Sequence, residues 1–106
     1  MKPLKEKDKE DPLIKNIWKL YRFEEPTMNH VADVNGVYII YDDMLNILHI
    51  GLAKEGQVEQ IMKKHLKDND FPKAEFRQVF ETEDDKKAEE LLEDWKKKYL
   101  EGNEQG

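Results

Sequence analysis

Apolar positions along this chain recur with two different periods, and the changes of period mark out the elements. Leu13, Ile14, Ile17, Trp18 and Tyr21 form the stripe of an amphipathic helix. Asp11 and Pro12 stand before it as N-cap and first helical residue, and Pro26 ends it, so a helix is predicted over residues 12–25. Residues 37–42 (VYIIYD) are a β-branched and aromatic run, as expected of a strand buried on both faces. Asp42, Asp43 and Asn46 supply turn chemistry, and residues 46–51 read as a second short strand, which makes the pair a hairpin. Strict alternation puts His49 on one face with Ile47 and Gly51.

The helical period returns after a glycine-containing loop, residues 52–56. Val58, Ile61, Met62, His65 and Leu66 share one side of a helix that Asp68, Asn69, Asp70 and Pro72 break. Residues 74–81 alternate again, with Phe76, Gln78 and Phe80 opposed to Arg77 and Val79, and predict a third strand. Thr82 and Asp85 resemble a capping box. They open a last helix with Ala88, Leu91, Leu92, Trp95 and Tyr99 on its apolar face, which Gly102 ends. The predicted order is α-β-β-α-β-α. The fold class is α/β in the α+β sense: a small three-stranded antiparallel sheet flanked by helices. Residues 1–11 read as a charged flexible N-terminus, 12–101 as a single domain and 102–106 as a flexible tail.

Composition narrows the class. Of 106 residues, 38% are hydrophobic and 40% charged, which implies one modest core beneath a densely ionised surface. There is no cysteine, so disulfides and thiolate metal sites are excluded, and a cytoplasmic location is the default expectation. Residues 1–11 lack the apolar stretch of a secretory leader, and the longest apolar run, residues 37–41, is far too short to span a bilayer, so no membrane association is expected. The net charge of −6 offers no global field to draw in DNA. Only two arginines are present, Arg22 and Arg77, which leaves local lysine patches as the means of holding phosphate.

The hairpin carries a resemblance. Gly36, Val37 and Tyr38, followed after ten intervening residues by His49, Ile50 and Gly51, resemble the two half-motifs of the GIY-YIG nuclease family, with Val for Ile in the first and His for Tyr in the second. The order hairpin, helix, strand, long helix is similar to the family core over residues 36–100, and residues 12–25 then read as an added helix. Lys54 resembles the lysine in the loop that follows the second half-motif in repair-type members.

The resemblance implies hydrolysis of phosphodiesters with one divalent metal. In such a site Tyr38 would help activate water, with His49 in the second tyrosine's place and His65 matching a histidine that some members carry. Lys54, Lys63 and Lys64 would contact substrate. Glu93, in Leu91-Leu92-Glu93, would hold Mg²⁺, with Glu89 as its competitor and Asn103 as the one downstream asparagine. Each residue also has a plainer reading. Tyr38 and His49 fit a buried strand with their polar atoms satisfied; His65 continues an apolar helix face, and Glu93 and Glu89 suit a solvated one. Asp42 and Asp43 are turn residues before they are a metal pair, and His30, His49 and His65 lack zinc-ligand spacing.

One family feature is missing. Alignment on His65 puts Ile61 where the family carries an arginine, and no arginine lies between Tyr38 and Phe76. Loss of such a transition-state contact costs on the order of 10²–10³ in rate. The expectation is therefore a divergent, catalytically degraded domain acting in nucleic-acid-associated or protein binding, with no cofactor. The alternative is an active Mg²⁺-dependent endonuclease with an atypical site. Nucleic acid, held weakly by a lysine patch, and a protein are the expected partners, and the oligomeric state is left open.

Overall fold

In the computed structural model, which describes residues 3–101, the chain is an α+β fold: a five-stranded antiparallel sheet with two helices. The strands are β1 (Asn16–Ile17), β2 (Tyr21–Arg22), β3 (Gly36–Tyr41), β4 (Ile47–Ala53) and β5 (Phe76–Glu81). The helices are α1 (Val58–Lys67) and α2 (Asp85–Lys96). β3 lies at the centre between β4 and β5, while β1 and β2 pair with opposite ends of β5's outer edge. The radius of gyration, 12.8 Å, matches a single compact unit of this length. No helix among the described residues is long and apolar enough to cross a membrane.

β3 explains the two-layered core. All six of its residues are buried, and its alternation sends Val37, Ile39 and Tyr41 to one face and Tyr38 and Ile40 to the other. On the first face they meet Ile50, Phe80, and Leu91, Trp95 and Tyr99 from the last helical stretch. On the second they meet Val79, Ala53, and Val58 and Met62 from α1. The hairpin, α1, β5 and α2 thus form where their periods predict.

The N-terminal third departs from expectation. Residues 12–25 are not a helix. The chain runs extended along β5: Asn16 pairs with Glu81 and Tyr21 with Arg77, and the Trp18 N–H donates to the Val79 carbonyl at 2.9 Å. An isolated helix of this length is marginal in water, whereas the edge of β5 offers unpaired backbone groups. Ile17, Trp18 and Tyr21 suit a strand as well as a helix. Leu13, Ile14 and Leu20 still reach the α2-side core, while Ile17 and Trp18 stay exposed.

Residues 3–11 are packed rather than frayed. Leu4 and Asp8 are buried, and Asp8 accepts from the Tyr99 hydroxyl and from Lys98 Nζ. Two smaller corrections follow. The cap of α2 is Asp84, whose carboxylate accepts from the Lys87 N–H at 2.9 Å; Thr82 is buried beside it. A register shift opposite Ile40 and Tyr41 moves Ile47 into the α2-side core, away from the face of His49. The predicted tail, 102–106, with Gly102 and Asn103, lies outside the described residues.

Candidate functional site

Tyr38, His49 and His65 converge. Tyr38 stands opposite Gly51 across the β3–β4 ladder, and the ring occupies the space that a side chain there would need. A Cβ built on Gly51 would lie 2.3 Å from Tyr38 Cζ. The phenol therefore lies across β4 beside His49, two residues before Gly51 on the same face. Gly36 has the same constraint against backbone, since its Cβ would fall 1.9 Å from the Phe80 carbonyl oxygen. Both glycines that carry the resemblance are thus close-approach positions.

The third member comes from α1. His65 Nε2 lies 2.9 Å from the Tyr38 hydroxyl, and His49 Nε2 lies 3.3 Å from the same oxygen. The end of α1 adds a fourth. Asn69 takes a left-handed φ of 51°, its N–H donates to the Leu66 carbonyl, and the Asp70 N–H donates to the His65 carbonyl. This is the paired bonding of a Schellman stop. It turns the chain back so that the Asp70 carboxylate meets His65 Nδ1 at 2.9 Å. Phe71 then covers the group, stacked on His49 with ring centres 4.9 Å apart and edge-on to His65 at 5.1 Å.

The hydrogen bonds have one consistent direction when both imidazoles are neutral. Ionised Asp70 can only accept, so His65 Nδ1 carries a proton and its Nε2 is an acceptor. Tyr38 donates its single proton to that nitrogen, and the phenolic oxygen accepts from His49 Nε2. Burial favours the neutral forms of Tyr38 and His49. Burial, reinforced by the charge of Asp70, pushes the Tyr38 phenol up to about 12. Burial, then the nearby His65 and Lys96, bring His49 down to about 4. Tyr38 is thus a phenol at neutral pH. It can give up its proton only as another group takes it, and His65, steadied by Asp70, is placed to do so.

The other candidates do not join the cluster. Glu93 lies on α2, which packs on the opposite face of the sheet. Its side chain is 74% exposed and pairs with Lys97 at 3.7 Å. Glu89 is also exposed on α2. Lys63 is held by Glu59 at 2.6 Å and Lys64 by Asp68 at 2.8 Å, while Lys54 is exposed in the loop after β4. Ile61 packs against the α1-side core. Asp42 is a turn residue: its carboxylate accepts from the N–H groups of Met44 and Asn46 and from Asn46 Nδ2. His30 stacks on Tyr21, away from the other two histidines.

Sequence reasoning missed Asp70 and Phe71. Residues 68–70 were legible as a helix stop, and asparagine is a known occupant of the left-handed position there. What spacing did not reveal is that the stop returns a carboxylate to a histidine five residues back. Comparisons with family models, with curated proteins and with solved structures find no match to this chain.

Proposed function

We propose that this chain is a divergent GIY-YIG-like domain that binds a partner and does not cleave nucleic acid through a magnesium centre. The observation supporting this reading is the separation of Glu93 from Tyr38, His49 and His65 by the thickness of the sheet. The residues present do not fit a carboxylate-held Mg²⁺ beside the tyrosine. The one carboxylate at the cluster, Asp70, is bonded to His65, and no three His, Cys, Asp or Glu side chains among the described residues group as a metal centre.

The surface favours a protein partner over nucleic acid. Lys63 and Lys64 are paired with acids, whereas Met44 is 74% exposed and Ile17, Trp18 and Leu45 are each about 40% exposed. Binding that rests on phosphate contacts would weaken steeply with salt. A protein interface centred on an aromatic anchor would not.

A second reading keeps the enzyme. The directed chain from His49 through Tyr38 and His65 to Asp70 is the kind of arrangement that activates a hydroxyl or a water. One experiment separates the two: incubation with single-stranded, nicked and duplex DNA with Mg²⁺ or Mn²⁺, alongside Tyr38→Phe and Glu93→Ala. The binding reading expects no cleavage above that of either variant. Cleavage that either substitution abolishes would overturn it.

A further inference from the structure

We propose that Tyr38, His49 and His65 form a site for a divalent ion of the zinc class, a function separate from magnesium-dependent cleavage and independent of whether the domain cuts or binds. The donor set decides the class. Two imidazole nitrogens and a phenolic oxygen suit zinc and its first-row neighbours, whereas Mg²⁺ takes carboxylates and water.

Geometry carries the argument. A tetrahedral ion with bonds of about 2.0–2.1 Å holds neighbouring ligand atoms about 3.3–3.4 Å apart. His49 Nε2 and His65 Nε2 lie 3.3 and 2.9 Å from the Tyr38 oxygen, close to two of the edges of such a tetrahedron. The outer contacts fit as well. Asp70 holds His65 by Nδ1, which leaves Nε2 unprotonated and facing inward, as a carboxylate does behind metal-bound histidines. Phe71 packs on both imidazoles, while the His65 side chain keeps 19% of its surface exposed to solvent.

The protons balance simply. The ion takes the position of the hydrogen-bonding protons. His49 moves its proton from Nε2 to Nδ1, and the phenolic proton of Tyr38 leaves for solvent. Water fills the fourth position. The linear spacing of His49 and His65, sixteen residues apart with no cysteine between them, has no zinc signature because the contact is made across β4 and α1.

The test uses the whole chain. Zn²⁺ is added while the imidazole ring signals are followed by NMR, with His30 as an internal reference and Mg²⁺ as a parallel titrant; Co²⁺ absorption gives the coordination number. The expected result is that Zn²⁺ shifts the rings of His49 and His65 and leaves His30, that Mg²⁺ shifts none, and that Co²⁺ gives a four-coordinate spectrum. Asp70→Asn should weaken Zn²⁺ about 10–100-fold. Unmoved His49 and His65 signals in the wild-type protein, or equal Zn²⁺ affinity in a folded His49→Gln/His65→Gln variant, would overturn the proposal. The wild-type measurement stands even where that variant does not fold.

Discussion

The two faces of the sheet are built from the same strand and differ in what they tolerate. Toward α2, Val37, Ile39 and Tyr41 meet Phe80, Leu91 and Trp95 in a mainly apolar layer, whose hydroxyls, on Tyr41 and Tyr99, are bonded to Gln78 and Asp8; Trp95 Nε1 is buried without a partner among the described residues. Toward α1, Ile40, Val79 and Met62 pack as closely, but the same face carries Tyr38, His49 and the buried Arg77. The α2 face gives the domain its stability. The α1 face accepts buried polar groups, each needing a partner, and Tyr38, His49 and His65 meet there. A buried polar group costs free energy unless its bonds are made, so the cluster is where packing was given up for something else.

The comparison can be broken most forcefully on the apolar side. Trp95→Ala should cost about 3–5 kcal/mol, as for other large core truncations, which is a large share of a small domain's stability. Phe80, whose ring meets the indole edge-on at 5.1 Å, loses its neighbour. Urea denaturation measures the loss, and the molecules that remain folded should keep the His49 and His65 ring signals of the wild type. A change in those signals would mean that the two faces are coupled.

On the polar side a smaller loss should be reached by pH. His49 titrates near 4 in the folded protein, against about 6.5 unfolded. Between those values the unfolded chain binds a proton that the native state refuses. Stability therefore rises with pH, is fully present above about pH 6.5, and falls as pH drops towards 4. Over that window the change is about 2–3 kcal/mol. Denaturation curves from pH 4 to 8 should show this slope, and His49→Gln should flatten it. A slope that survives the substitution would assign it to another group.

Gly51→Ala reaches the cluster without touching its members. The new methyl would sit within about 2.5 Å of the Tyr38 ring, so the ring must swing aside, at about 1–3 kcal/mol. The Tyr38 hydroxyl would then leave both imidazoles. NMR should report new ring environments for His49 and His65, with the α2-side core unchanged. Wild-type ring signals in the variant would mean that Tyr38 is not held by Gly51.

The sequence made much of this legible, and unevenly. The β-branched and aromatic run of residues 37–42 predicted a strand buried on both faces, and alternation in residues 74–81 predicted the two faces of β5, because composition and period are properties of a strand's own residues. Tyr38, His49 and His65 could be named from a resemblance, but their meeting depends on the register that sets Tyr38 against Gly51, which no local pattern encodes. The helix expected over residues 12–25 failed for a related reason. Of its stripe, Leu13 and Ile14 pack inward while Ile17 and Trp18 stay exposed, and the choice between helix and strand was made by an open edge sixty residues away. Glu93 was chosen by a tripeptide, and a tripeptide does not say on which side of a sheet its helix will lie.

The smallest expected effect concerns Arg77, and it tests whether the polar face is costly everywhere or only at the cluster. The guanidinium is buried. It donates to the Thr27 carbonyl at 2.6 Å, lies 4.9 Å from the Tyr21 ring, leaves Nε without a partner, and forms no ion pair among the described residues. Its burial pulls the pKa down from the usual arginine value, the sign of a charge held against its solvation. Desolvating such an ion costs several kcal/mol. Against this stand one charge-assisted hydrogen bond, about 1.5–3 kcal/mol, and a cation–π contact of about 1–2 kcal/mol. These terms nearly cancel. Arg77→Met keeps most of the volume and removes the charge, so its stability should fall within about 1 kcal/mol of wild type in urea denaturation. A loss above about 3 kcal/mol would mean that the guanidinium stabilises the N-terminal strands it touches, and that the polar groups of this face contribute to the fold as well as to its chemistry.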